Sequence, residues 1–419
     1  MHLIEVFQYE WAIRALVASM LVGLMCGVLG CFIVLRNMSL IGDALAHAIL
    51  PGVVIAFVVV GYSTLGFFVG SVAAGLLAAA GITWIQQNIH TRNDAAIGIV
   101  FTAMFSIGVM GISWISKNEG VHLDLKDFLF GNVLGVANQD LYLTAGVAVY
   151  VLASVVVFYR YLFISTFQPV VARTMGISVK LIHYFLMLLL SFAVVASLQT
   201  VGVILVVAML ITPASTALLL SNHLKTVLVL AGGIGMLCAF SGLLLAIAIE
   251  TTPGPAMAVT ATFFYLVAAF FAPRRGLIFR LLQKRNLRRR ILLEDILKQS
   301  FRLQEEAGNI TEVALLERLT FRSAILRRGL AALRRRGWME RNSLLLTPAG
   351  AEQARRLVRA HRLWETYLAH QTGLDAEQVH EEAERYEHLL PEYLLDEVDA
   401  SLGYPTIDPH GEPIPEKGE

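Results

Sequence analysis

The chain has 419 residues, a formal charge of +1 and 56% hydrophobic residues. Those averages hide two unlike parts: 12 Lys/Arg and 9 Asp/Glu up to Arg280, against 21 and 23 from Leu281 onwards. A polytopic membrane portion followed by a charged, water-soluble portion is expected. A disulfide framework and a Cys-type zinc finger are excluded, because Cys26, Cys31 and Cys238 all lie in apolar runs.

About nine segments approach the ~20 apolar residues that a crossing requires. They are Ala12–Leu35, Leu40–Val60, Thr64–Ile85, Ala95–Ile115, Leu141–Phe163, Leu181–Leu198, Val201–Leu220, Val227–Ile249 and Pro255–Phe271. Glu5 and Glu10 stand where a signal peptide would be basic, so the first run reads as a retained helix. Arg36, Arg92, Arg160, Arg173, Lys180, Lys225, Arg274 and Arg275 fall in alternate connections, whereas the others hold only Lys117 and Lys126. The bias places the N-terminus outside and the C-terminal portion in the cytoplasm.

Asp43 and His47 interrupt the second span one helical turn apart. An Asp at membrane depth costs roughly 2.5–3.5 kcal/mol on insertion scales and usually marks an ion or substrate path. Carboxylate and imidazole on one helix face suit a divalent transition metal. The alternative is a hydrogen-bonded pair that only joins helices.

Two connections are long. Ser116–Asp140 contains Asp127-Phe128-Leu129-Phe130-Gly131, a re-entrant turn or a docking surface. In Ile164–Lys180, Gln168 to Gly176 reads as a short amphipathic helix stopped by Gly, either a force-transmitting element or an ordinary loop. The chain contains no G-x-x-x-x-G-K-[ST] loop, so it is expected to bind no nucleotide and any ATP-driven motor is a separate polypeptide.

The run from Gly42 through Asp43, His47 and Pro51 to Gly52 resembles the signature of the permeases of zinc, manganese and iron ABC importers. Val201 to Ala214, with Thr212 and Pro213, resembles a second block of that family. Ala172-Arg173-Thr174-Met175-Gly176 resembles its coupling helix, with Gln168 standing where an acidic residue is common. The likeness spans Trp11 to Pro273. It implies a pore of two permease copies or of this chain with a related one, an ABC ATPase subunit and an extracytoplasmic metal-binding protein. It also implies that Asp43 and His47 line the path, that Pro51 kinks their helix, and that Pro169, Ala172, Arg173 and Gly176 meet the ATPase.

Past the spans, Leu281–Arg290 is strongly basic and should lie along the inner membrane surface. Helical patterns follow over Ile291–Glu306, Glu312–Leu319 (N-cap Thr311) and Thr320–Arg336, and Trp338–Thr347 alternates like a two-stranded wing. That order is the pattern of a winged helix-turn-helix. Leu281–Arg341 holds 15 basic and 7 acidic residues, and Arg322, Ser323, Arg327 and Arg328, with Arg334, Arg335 and Arg336, are placed to meet DNA. A basic face held against anionic lipid is the alternative.

Beyond Asn342 the balance reverses to 6 basic and 16 acidic residues. His361 and Glu365 are one i, i+4 pair, and His380, Glu384, Glu387 and His388 share one helical stripe. Such sets suit manganese, ferrous iron or zinc; a charged solvated face is the alternative. The segments around Leu346–Gly350, His361–Glu365, Val379–His388 and Pro409–Pro415 resemble the iron- and manganese-dependent repressors of the diphtheria-toxin-repressor type. The resemblance implies a metal-loaded, DNA-binding dimer, with His361, Glu365, His380, Glu384, Glu387 and His388 as ligands and Asp295 as one more. Lys298 stands where manganese-type members tend to have an acidic ligand, which implies the loss of one of two adjacent sites, and Glu384 stands where iron-type members often have Cys, which tilts the metal towards manganese.

The expected organisation is an all-α polytopic membrane domain (1–273), a basic juxtamembrane linker (274–290), a winged helix-turn-helix (291–350) and a helical metal-binding and dimerisation domain (351–419). The expected function is the non-enzymatic permease subunit of a divalent-metal importer with a fused metal-responsive domain. A membrane-tethered, metal-dependent transcription regulator without transport is the alternative, and an importer of a larger metal chelate is disfavoured by the Asp and His.

Overall fold

The computed structural model describes residues 9–417 apart from 62, 90–91, 120–132, 274, 309, 320, 373–378, 380–381, 385, 387 and 389. The chain divides into two compact units, Met1–Arg280 and Leu281–Glu419.

Among the described residues of the first unit, nine helices are long and apolar enough to span a membrane. In chain order the helices are α1 (Glu10–Leu35), α2 (Ile41–Ala48), α3 (Leu50–Val60), α4 (Thr64–Asn88), α5 (Asn93–Glu119), α6 (Asn138–Val157), α7 (Tyr159–Phe167), α8 (Pro169–Thr174), α9 (Val179–Val201), α10 (Val203–Leu220), α11 (Leu224–Ile249) and α12 (Pro253–Phe271). All nine expected spans are present, but two differ from a plain crossing. The second is divided at Ile49 into α2 and α3, because Pro51 lacks the N–H that would bond the His47 carbonyl. The fifth stops at Phe158, after the β-branched run Val155-Val156-Val157, and α7 continues separately.

Helix α1 is the centre of this unit and packs against α6, α9, α10 and α11. Ala15, Val22, Met25, Leu29 and Phe32 on it are fully buried. Its crossing with α11 is backbone on backbone: a Cβ on Gly23 would stand 2.4 Å from the Gly235 carbonyl oxygen. Small residues permit this approach where lipid supplies no hydrophobic drive between helices. Outward, Val59, Val156 and Val229 are 74%, 76% and 76% exposed, a surface that belongs in acyl chains rather than water.

The second unit is mainly helical. It comprises α13 (Leu277–Ala307, beginning just before the boundary), α14 (Glu312–Arg318), α15 (Ser323–Arg335), α16 (Pro348–Thr372) and α17 (Glu392–Ser401). The stretch expected as a linker is helical from Leu277, as its Leu, Arg, Lys and Gln content favours. Leu293, Ile296, Leu297, Leu315, Leu326, Leu333 and Val358 form the core between α13, α14, α15 and α16. Thr311 caps α14, its hydroxyl accepting from the Ala314 N–H at 3.2 Å. The expected wing, Trp338–Thr347, is one antiparallel bridge, Met339 with Leu346, flanked by bonds from Glu340 N–H to the Leu345 carbonyl and from Thr347 N–H to the Trp338 carbonyl; Gly337 and the helix that starts at Pro348 bound it.

Candidate metal centres and coupling surface

Asp43 and His47 lie on α2, whose eight residues place them one turn apart with Nε2 and Oδ1 separated by 3.6 Å. The Asp43 side chain is 47% exposed and that of His47 17%. The rings of Phe101 and Phe105 on α5 stand 5.5 and 5.4 Å from the imidazole and fix its plane. His47 Nδ1 is buried and has no hydrogen-bond partner among the described residues. Leu210 of α10 packs against Gly42, where a Cβ would meet its Cδ1 at 2.8 Å. The two sequence blocks with the strongest family resemblance therefore touch beside the acid and the imidazole. The carboxylate and the imidazole offer oxygen and nitrogen donors of the kinds that a divalent transition metal takes.

The run Gln168 to Gly176 forms the expected short helix, α8, and Gly176 ends it with φ +77°. Ala172 is fully buried, whereas Val170 and Met175 are 69% and 63% exposed. Arg173 and Gly176 border an open pocket of about 810 Å³ with Arg36, Gln86, Lys180 and His183. Arg36 is itself tied to Ser165 and Thr166 of α7, at 2.8 and 3.1 Å. An apolar tip beside a cationic pocket offers a partner both greasy contact and a place for acidic side chains. Residues Asp127 to Gly131 lie outside the described residues.

In the second unit the packing of α13 brings together residues that sequence spacing cannot connect. His388 is 3% exposed, and its two ring nitrogens face different carboxylates: Nε2 is 3.0 Å from Asp295 Oδ1, and Nδ1 is 2.8 Å from Glu294 Oε2. Nε2 and Asp295 stand as two donors of one metal would, and Glu294 takes the orienting position behind the imidazole. Glu294 was not legible as a functional residue; adjacency to Asp295 was its only signal. Burial opposes its ionisation, yet hydrogen bonds from His388 and Arg290 hold its carboxyl below the usual range. Glu384 is exposed, and His380 and Glu387 lie outside the described residues. Among the described residues no three His, Cys, Asp or Glu side chains stand in metal-holding geometry. The pair Asp295 and His388 nonetheless fits a hard divalent cation by donor type and spacing.

His361 and Glu365 are both 1% exposed on α16, with Nε2 and Oε2 3.7 Å apart. Glu365 Oε1 accepts from His410 Nε2 at 3.0 Å. Lys298, 2% exposed, places Nζ 3.4 Å from His361 Nδ1.

Arg322, just before α15, and Ser323, Arg327 and Arg328 on it are exposed, while Leu326, Leu330 and Leu333 face the core. Arg327 is held by Glu312 at 2.8 Å. Arg334 turns to the Ser343 carbonyl, and Arg336 lies over the Trp338 ring at 5.1 Å.

Residues 8–272 match the family model of the ABC 3 transport family, and residues 347–416 match that of the iron dependent repressor, metal binding and dimerisation domain. A manganese transport system membrane protein, MntC of Halalkalibacterium halodurans, is 46% identical over 276 residues, covering 66% of this chain and 92% of the relative. The protein of that name in Bacillus subtilis is 35% identical over 367 residues, 86% of this chain and 84% of the relative, so the likeness runs past the spans. A solved structure, PsaBC from Streptococcus pneumoniae in complex with Fab, is 38% identical with a TM-score of 0.60, covering 68% of this chain and 98% of that one. The chain belongs to the ABC 3 transport family and carries a metal-binding and dimerisation domain of iron-dependent-repressor type at its C-terminus.

Proposed function

We propose that this chain is the permease subunit of an ATP-driven importer of a divalent transition metal, manganese before iron or zinc. The manganese transport proteins among its relatives support that choice of cargo. The observation that carries the reading is the pairing of Asp43 with His47 on a short membrane helix ended by Pro51. A metal ion handed over by an extracytoplasmic binding protein exchanges its water for Asp43 oxygen and His47 nitrogen. A half-open carboxylate at membrane depth is tolerable only if it faces a polar path, which a second permease copy or a related permease completes. ATP is hydrolysed on a separate ATPase subunit, which docks on α8 through Pro169, Ala172, Arg173 and Gly176. The basic connections then face the cytoplasm, and with them the second unit.

The domain divisions follow the same reading: 1–273 transports, 274–290 follows the inner surface, 291–350 is the winged helix-turn-helix, and 351–419 binds metal and dimerises. In the last of these, His361 with Glu365, and His380 with Glu384, Glu387 and His388, are the metal ligands, and Asp295 of the preceding division donates one more. Imported metal binds there and feeds back on transport or engages DNA through Arg322, Ser323, Arg327 and Arg328. Only a difference in metal affinity between two states of the domain can drive such feedback.

Manganese uptake in cells stripped of other importers tests the transport role. Asp43→Ala and His47→Ala should each abolish it while the protein still reaches the membrane. Unchanged uptake in both variants would leave the membrane-tethered regulator as the reading.

A further inference from the structure

The N-terminal part of α13 and one face of α15 enclose a groove of about 630 Å³ that neither metal transport nor metal sensing uses. Helical spacing builds it. On α13 the stripe Arg285, Arg289, Leu292 and Ile296 is apolar where it joins the core and cationic towards the N-terminus. On α15 Arg328, Ala332 and Arg335 face it. The two helices approach closely because residue 329 is glycine: a Cβ there would stand 2.3 Å from Ile296 Cδ1.

Arg285, Arg288, Arg289, Arg328 and Arg335 line the groove, and no carboxylate is among the described residues that do so. Neighbouring arginines are engaged elsewhere: Arg290 by Glu294, Arg327 by Glu312 and Arg334 by the Ser343 carbonyl. None of the five forms an ion pair among the described residues. Guanidiniums stay charged at every physiological pH and repel one another, so the groove gains most from phosphate, whose oxygens their forks match. The surroundings of the arginines select the source of that phosphate. Leu281, Leu282 and Leu287 on the same stretch of α13 are 66%, 51% and 39% exposed. Duplex DNA offers phosphates but leaves such side chains in water, whereas the headgroup boundary of a bilayer takes both. Arg285 also follows Phe271, the end of the last span, by only fourteen positions, so the chain tethers the groove near lipid.

We infer that this groove binds the phosphate headgroup of an anionic phospholipid, with Arg328 and Arg335 of α15 on one side and Arg285 and Arg289 of α13 on the other. This rests on the placement of 274–290 along the inner membrane surface and extends it to α15, whose Arg328 an occupied groove withholds from DNA.

The full-length chain is reconstituted in nanodiscs of phosphatidylcholine alone or with rising fractions of phosphatidylglycerol, and amide hydrogen exchange is followed. Segments 281–293 and 323–335 should both exchange more slowly as phosphatidylglycerol is added. Arg328→Ala and Arg335→Ala should each raise the fraction needed for half protection about fivefold, the usual effect of one basic side chain at an anionic surface. Arg341→Ala, which removes a charge outside the groove, should shift it less than about twofold. Protection of 281–293 alone, with Arg328→Ala and Arg335→Ala no different from Arg341→Ala, would overturn the inference and leave the surface placement standing. Protection of neither segment would remove both. Protection of 323–335 by duplex DNA in phosphatidylcholine discs, but not by phosphatidylglycerol, would assign the groove to nucleic acid and overturn it as well.

Discussion

In the proposed metal-sensing unit, replacing Glu294 should separate a ligand, His388, from the group that orients it. Glu294 Oε2 accepts from His388 Nδ1 at 2.8 Å, and the two side chains are 12% and 3% exposed. A hydrogen bond to a charged group contributes about 1.5–3 kcal/mol when its partner is buried. At about 1.4 kcal/mol per factor of ten, that is roughly 10–150-fold in metal affinity. Loss of an orienting partner behind a metal-bound histidine typically weakens binding about 10–100-fold, so the two estimates agree. Glu294→Gln keeps a carbonyl acceptor and loses only charge, so it should weaken Mn²⁺ binding about tenfold; Glu294→Ala, which removes the acceptor, should approach about a hundredfold. Arg290 holds the other oxygen of Glu294 at 2.7 Å but is 62% exposed. A surface pair of that kind contributes about 0.3–0.5 kcal/mol, so Arg290→Ala should shift affinity less than about threefold. Mn²⁺ titration of the full chain, carrying Asp43→Asn and His47→Gln to clear the transport path, reads all three. Equal, small effects from Glu294 and Arg290 would refute the orienting role, and complete loss in Glu294→Gln would make Glu294 a direct ligand.

Gly23→Val should force α1 and α11 apart, since even a Cβ meets the Gly235 carbonyl at 2.4 Å; a loss of about 1–3 kcal/mol should appear as a lower melting temperature in detergent. Ala172→Arg puts a charge where the side chain is fully buried, so α8 should leave its seat and metal uptake should stop while the ATPase subunit still turns over, measured on the reconstituted complex. Thr311→Ala removes the cap on the Ala314 N–H and should cost the second unit about 1 kcal/mol, read from amide exchange in α14. Hydrogen bonding from Arg318 holds the Glu306 carboxyl below its ordinary range, so the pair stabilises the fold above the unfolded carboxylate range. That contribution fades as pH falls through the lowered value. Because the pair is exposed, Arg318→Ala should cost under about 1 kcal/mol at neutral pH and progressively less in acid.

What was legible in the sequence is what repeats locally. The spans followed from apolar length, since a bilayer accepts little else over some twenty residues. Asp43 with His47, and His361 with Glu365, were visible as pairs because a helix carries i and i+4 on one face wherever it packs. The break at Ile49 was likewise foreshadowed by Pro51. Packing alone decided the rest. Glu294 and Asp295 meet His388 across 94 and 93 positions, and Lys298 meets His361 across 63, separations over which no periodicity carries information. Which carboxylates meet His388, and which side chain meets His361, depends on how α13 lies against α16 and against the segment that carries His388. The sequence therefore determined which groups were available for metal, and the tertiary structure determined their partners, because groups so far apart in the chain meet only when their helices pack.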